Sequence, residues 1–276
     1  MPTRWDQLLT SEEALLGIPE ARDLPMCLVD RNSGFAVDED FHVLNATDYP
    51  ATVIGAPVAN TVGLLAAGAV YYEQGALALD AGTADSTGVW TGLVVPSIYH
   101  AGAWGNPIAP PYDLRQVARF RARLTQGTGP NGAWSLGMRS ASAPLTTTGS
   151  LSVTANAGWG FRVDGALSLF AWESDFNNAN EADSGIDLVL GSWYDFAITM
   201  EKRAGAGLVT GKSCKWYFKP AGARRWRKVR DTPDLVFPNA AGPFRPNFGV
   251  VNSTGDNTLL LVDRYVVAGT RGSGVA

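Results

Sequence analysis

The sequence predicts an all-β protein: an antiparallel β-sandwich with an N-terminal arm that contains a short helix. Two observations carry this. From Trp159 to Ala268, polar and apolar residues alternate with the two-residue period of half-buried strands. Gly, Pro and Asn turn signals separate these runs, and almost no helical periodicity interrupts them.

Residues 3–16 are the clearest helical stretch. Thr10 and Glu13 have capping-box spacing, and Trp5, Leu8, Leu9 and Leu15 supply an apolar side. Residues 17–50 are irregular, with Pro19, Pro25 and Pro50 among Asp, Asn and Gly clusters. They read as an extended arm that either packs along its own domain or reaches a neighbour. The expected division is an anchoring or assembly arm over 1–50 and a sandwich over 51–276.

Within the sandwich, ATVIGAPV, TVGLLAAGAVYYEQGALALDAG and WTGLVVPSIYH read as strand material. In QVARFRARLT, Ala118, Phe120, Ala122 and Leu124 point inward and Arg119, Arg121 and Arg123 outward. AWSLGMRS is a strand, and SAPLTTTGSLSVTANAG a further pair. In GSWYDFAITMEK, Tyr194, Phe196, Ile198 and Met200 share one face; in KSCKWYFK, Cys214, Trp216 and Phe218 do the same. Hairpin turns are expected at 203–207 and 219–225, and SDFNNANEADSG reads as a polar loop.

Composition bounds the function. A chain of 276 residues with 46% hydrophobic content builds a packed core without needing disulfides or metals. Its formal charge of −4 favours neither nucleic acid nor an anionic membrane as partner. No apolar run reaches the ~18 residues of a membrane span. Glu12, Glu13 and Glu20 break up the first 20 residues, so synthesis in a cytoplasm without secretion is expected. Only 17% of residues are charged and nine are Trp, which fits either partner-covered surface or a large aromatic core. Cys214 lies on an apolar strand face, as a buried free thiol would, and no spacing argues for a bridge to Cys27.

Five pieces in order, GALALDAGTADSTGV, QVARFRARLT, GSWYDFAITMEK, CKWYFKPAGARRWRKV and LLLVDRYVVAG, resemble the concanavalin A-like lectin/glucanase superfamily in its laminin-G-like form. They span roughly residues 51–270. The resemblance implies a jelly-roll of two antiparallel sheets. The arm and the low charge also resemble structural proteins of tailed-bacteriophage virions, an analogy of fold and organisation.

Candidate sites are few. The run Glu181-Ala-Asp183-Ser-Gly-Ile-Asp187 has the first two acids of a retaining-glycosidase strand motif, but the catalytic Glu is missing. A lyase base could come from Tyr99 or His100, with Arg119, Arg121 or Arg123; a solvated loop histidine is the plainer reading. Calcium is the cation suited to Asp175, Asn177, Asn178, Asn180, Glu181 and Asp183, which also read simply as a hydrophilic loop. Trp104, Tyr112 and Trp172 lie near loops and could offer aromatic platforms to a glycan, or pack beneath those loops. Lys215, Lys219, Arg224, Arg225, Arg227, Lys228 and Arg230 form a basic hairpin, read either as a docking surface or as protection of a sheet edge.

The resulting expectation is a non-enzymatic virion structural protein, decorating a capsid or forming part of a fibre, with no required cofactor. Its expected partners are the major capsid or tail protein and further copies of itself, as in a trimer. Nucleic acid and membrane are not expected as partners. A carbohydrate-binding module for host attachment is the alternative, and a glycan-cleaving enzyme the third reading.

Overall fold

The computed structural model describes residues 34–39, 41, 52–54, 70–73, 75–82, 87–92, 114–126, 133–139, 157–175, 179–202, 212–232, 245–252 and 258–270. These residues form two antiparallel sheets packed as a jelly-roll sandwich, with no helix among them. The helix expected over 3–16 and the strand pair over 142–156 lie outside the described residues.

Sheet A runs in the order β13 (Arg227–Thr232), β12 (Lys212–Pro220), β11 (Trp193–Lys202), β6 (Leu114–Gln126), β15 (Leu259–Thr270), β4 (Ala76–Asp80), β3 (Val70–Glu73). Strand β1 (Gly34–Glu39) pairs with the second half of β15, from Gly34↔Thr270 to Glu39↔Tyr265. Sheet B runs β10 (Ala179–Asp187), β9 (Ser168–Asp175), β8 (Ala157–Val163), β7 (Ala133–Arg139), β14 (Arg245–Asn252), β5 (Thr87–Gly92), β2 (Thr52–Ile54). Strand β1 and the fully buried Phe41, whose ring meets Tyr265 at 5.9 Å, bring residues 34–41 of the arm into the sandwich.

The alternation read from the sequence sets the inner faces. Ala118, Phe120, Ala122 and Leu124 of β6, Tyr194, Phe196 and Ile198 of β11, and Cys214, Trp216 and Phe218 of β12 are all buried in one core. Sheet B answers with Trp159, Phe161, Val163, Leu169, Leu136, Phe248 and Val250. Aromatic pairs tie the layers together: Phe161 to Phe196 at 5.1 Å and Phe120 to Phe248 at 5.8 Å, both offset from face-to-face stacking. Trp216 of sheet A donates Nε1–H to the Gly160 carbonyl of sheet B at 3.0 Å, which satisfies its buried polar atom. Cys214 is a free, fully buried thiol; burial pushes its pKa up, with the nearby Glu173 carboxylate adding to the shift.

The hairpin expected at 219–225 joins β12 to β13. Ala223 N–H returns to the Pro220 carbonyl at 3.0 Å, and Gly222 takes the left-handed conformation (φ 82°) that the turn needs. The segment read as a polar loop corrects differently. Residues 179–187 form β10, the edge strand of sheet B, paired with β9 from Ala179↔Ser174 to Asp187↔Ser168. Its exposed alternate positions Glu181, Asp183 and Asp187 are those of an edge strand facing water, a polarity easily mistaken for a loop.

Candidate functional site

The outward face of sheet A gathers charge that the two-residue period alone does not reveal. Strand register places Arg264 opposite Arg121, Arg121 opposite Asp195, and Asp195 opposite Lys219, in one row across β15, β6, β11 and β12. Arg119 stands one step along the same face of β6.

Asp195 is the hub. Its carboxylate is fully buried and accepts a hydrogen bond from Arg121 Nε at 2.9 Å. Arg119 Nη2 lies 3.4 Å away and Lys219 Nζ 3.6 Å away. Burial alone would push the carboxyl's pKa up, but the Arg121 hydrogen bond and the charges of Arg119, Arg121 and Lys219 together hold it below the ordinary aspartate value. Arg119 moves down, chiefly because it is desolvated, while Arg121 moves up through its bond to Asp195.

Trp226, from the β12–β13 hairpin, folds back over this group. Its ring lies 5.6 Å from the Arg119 guanidinium and 5.1 Å from Lys219 Nζ. Lys219 also donates to the Ala223 carbonyl at 2.9 Å, which fixes the hairpin to the sheet. Beside the hub, Arg119, Arg121, Asp195, Arg264 and Val266 line a small recess of about 30 Å³. Arg121 and Asp263 remain 37% and 40% exposed at its rim and meet at 3.7 Å. Arg119, Arg121 and Lys219 all pair with Asp195, and Arg121 reaches Asp263 as well. On the neighbouring part of the face, Arg123 stacks over Trp193 at 4.7 Å, next to an apolar patch of Ala76, Ala78 and Leu261.

The residues expected from sequence distribute unevenly. Trp172 is corrected as a glycan platform: it is only 2% exposed. It stands opposite Gly160 in the β8–β9 pair, and its ring fills the space where a Cβ on Gly160 would come within 2.9 Å of it. Trp104, Tyr112 and Asn178 lie outside the described residues.

The calcium set does not converge, because Asp175 and Asp183 sit on a hairpin and not in one loop. Asp183 pairs with Phe170, five residues from Asp175, roughly 16 Å along the strand at 3.3 Å per residue. One cation with ligands at roughly 2.3–2.6 Å cannot bridge them. Asp183 instead caps Gly185 N–H at 2.8 Å, and Asn180 donates to Glu173 at 3.4 Å. Among the described residues no group of three or more His, Cys, Asp or Glu side chains could hold a metal.

The basic hairpin divides. Lys219 is 3% exposed and pairs with Asp195, so it is corrected from docking residue to buried partner of the hub. Arg230 is corrected likewise. Its guanidinium donates to the Ala171 carbonyl at 2.7 Å, the Asn180 carbonyl at 3.1 Å and Glu173 at 3.1 Å, and lies over Trp216. It therefore latches the edge of sheet A to the edge of sheet B. Lys215 is half-buried, and Lys228 pairs with Asp231 at 2.9 Å. Arg224, Arg225 and Arg227 are exposed.

Compared by sequence, the chain matches no family model and no curated protein. Solved structures resemble it in fold. The lectin UEA-II complexed with galactose aligns at TM-score 0.51 and 11% identity, covering 85% of this chain and 98% of the lectin. A protein of unknown function from Shewanella oneidensis MR-1 aligns at TM-score 0.48 and 11% identity, covering 88% and 90% of the two chains. An alginate lyase from Aplysia kurodai aligns at TM-score 0.48 and 7% identity, covering 70% and 82%. At these identities the likeness is one of fold.

Proposed function

We propose that this chain is a non-enzymatic jelly-roll domain that recognises a saccharide with the outward face of sheet A. The observation that carries the reading is the recess in which Arg119, Arg121 and Arg264 converge beside Trp226. It offers fixed donors on a rigid sheet, with the Trp226 ring packed against Arg119 beside it. The sandwich shared with a galactose-complexed lectin supports it as a fold suited to such a surface.

Binding without cleavage fits the electrostatics of the recess. Retaining hydrolysis needs an ionised and a protonated carboxyl about 5–5.5 Å apart, in unlike environments. Asp195 is held ionised by its cations, the wrong state for a proton donor. Tyr217, two strands from Arg119 on the same face, has its hydroxyl sealed from solvent and out of reach of a substrate proton.

The wider role we propose is display on a tailed-phage virion, assembled in the host cytoplasm. There the domain would be a capsid-decorating or fibre-like component, oligomeric with itself and docked to a major capsid or tail protein. The sequence resemblance and the chain preceding β1 support that placement. The test is a panel of immobilised glycans probed with the full chain and with Arg121→Gln, together with an assay for released sugar ends. Retention of a glycan by the parent chain only, with no product, is the expected result. Product release would make the chain an enzyme, and no retention of any glycan would remove the saccharide reading.

A further inference from the structure

We propose that one end of the sandwich, where the β8–β9 turn, the β10–β11 connection and the β12–β13 hairpin lie side by side, is a two-fold contact with a second copy of this chain. This rests on the reading that the chain assembles with itself, and it names the surface. It does not depend on what the recess binds.

Backbone hydrogen bonds join the connections. Leu188 N–H donates to the Leu167 carbonyl at 2.8 Å, and Ala221 N–H to the Trp193 carbonyl at 2.9 Å. Within the middle connection, Ser192 N–H closes on the Val189 carbonyl at 3.2 Å, and the Tyr194 hydroxyl accepts Val189 N–H at 2.9 Å. The surface is held by its own chain, so little ordering cost is left for association.

Its charge is divided. On the sheet B side, Ser168 draws the half-buried Asp164 and the exposed Asp187 together. Its N–H donates to Asp164 at 3.0 Å and its hydroxyl to Asp187 at 2.8 Å. Neither carboxylate has a cationic partner among the described residues. On the sheet A side, Arg224 and Arg225 are exposed on the hairpin, with no ion pair or hydrogen bond among the described residues. Between the two sides stands Val189, 64% exposed, the one exposed large hydrophobic side chain among the described residues.

An acidic half, an apolar centre and a basic half make the patch self-complementary. A two-fold axis at Val189 sets each copy's Asp164 and Asp187 against the other's Arg224 and Arg225, and brings the two valines together. A foreign partner would have to mirror both halves, whereas a second copy does so by symmetry. The charges also fix the orientation, because turning one copy half-way round places like charges together.

Three short connections give a contact at the small end of specific interfaces, below roughly 1,200 Å² in total. The dimer is therefore reversible, and its surface ion pairs make it salt-sensitive.

The experiment is analytical sedimentation of the full chain over a range of concentrations, at low and at physiological salt. The parent should pass from monomer to dimer as concentration rises, and do so earlier at low salt. Arg224→Glu/Arg225→Glu sets acid against acid at both contacts of the dimer, and Asp187→Lys sets a cation against the arginines. Each should weaken the dimer by roughly tenfold or more. Mixed in equal amounts, these two variants should form a dimer more readily than either does alone. Asp164→Asn/Asp187→Asn keeps acceptor oxygens for Ser168 while removing the charge, so it should weaken the dimer with an unchanged circular dichroism spectrum.

A parent chain that stays monomeric at every concentration and salt overturns the contact and intrinsic self-association together. An assembly indifferent to all three variants overturns the contact and leaves self-association standing. Weakening by each variant without recovery on mixing overturns the pairing of acidic half with basic half.

Discussion

Asp195 and Arg121 sit opposite each other across the β11–β6 pair, with the fully buried carboxylate accepting Arg121 Nε–H at 2.9 Å. Arg119 and Lys219 complete the neutralisation at 3.4 and 3.6 Å. Replacing Asp195 by Ala would leave two buried cations facing one another with no anion. We expect a loss of about 3 kcal/mol, measured by urea unfolding. Asp195→Asn should lose somewhat less, because the amide oxygen still accepts a hydrogen bond. A loss under about 1 kcal/mol, the range of exposed ion pairs, would show that the hub is not buried as described.

The same carboxylate sets an acid dependence. Its folded pKa lies below the ordinary 3.8, so the unfolded chain binds this proton more readily than the folded chain does. The Asp195 contribution is therefore complete above the unfolded value and is lost as pH falls through the folded value. Thermal melts between neutral pH and the acid limb should show a drop in the parent chain that is shallower in Asp195→Asn. Parallel curves for the two chains would contradict the assignment.

Arg230 makes a prediction of its own. It holds the Ala171 and Asn180 carbonyls and Glu173 of sheet B from the edge of sheet A. Arg230→Lys keeps the charge but cannot span three acceptors with one ammonium. We expect a loss of about 2–3 kcal/mol for Arg230→Lys or Arg230→Ala in chemical unfolding, together with faster amide exchange in β10. Unchanged exchange in β10 would argue against a latch.

These relationships explain what could be read from the sequence and what could not. The inner faces of β6, β11 and β12 were legible because alternation is a local signal: Phe120, Phe196 and Trp216 lie where the period puts them. The hub was not legible, because Arg121 and Asp195 are 74 residues apart and only strand order brings them opposite. Trp172 looked available for the same reason. Its outward position follows from alternation, but its burial depends on Gly160 of the neighbouring strand. β10 was read as a loop because an exposed edge strand carries polar residues of the kind loops favour.

Glycines under the outward aromatic rings give a fourth test. A Cβ on Gly249 would collide with the Trp90 ring, which is fully buried and has no open side to move into. A Cβ on Gly160 would collide with the Leu136 carbonyl oxygen and meet the Trp172 ring at 2.9 Å. Gly249→Ala and Gly160→Ala should each destabilise by about 1–3 kcal/mol through overpacking. Gly185→Ala, with nothing within 4 Å, meets no such clash; its cost comes only from φ 65°. Equal losses at all three positions would show that backbone conformation, and not the rings, sets the cost.

Cys214 provides a fifth. Full burial and a raised pKa suppress its thiolate, so in a Cys27→Ser chain it should react with a thiol reagent only as fast as the protein opens. Rapid labelling under native conditions would contradict a closed core at β12.

The most direct test of the central claim is nuclear magnetic resonance of the tryptophan indoles while an oligosaccharide retained on the glycan panel is titrated in. Nine indoles report on separate parts of the chain, and Trp226→Phe assigns the one at the recess. Recognition by the outward face of sheet A predicts that the Trp226 signal moves with saturation, while those of the core residues Trp159 and Trp216 stay in place. Saturable shifts at other indoles with Trp226 unmoved would contradict it.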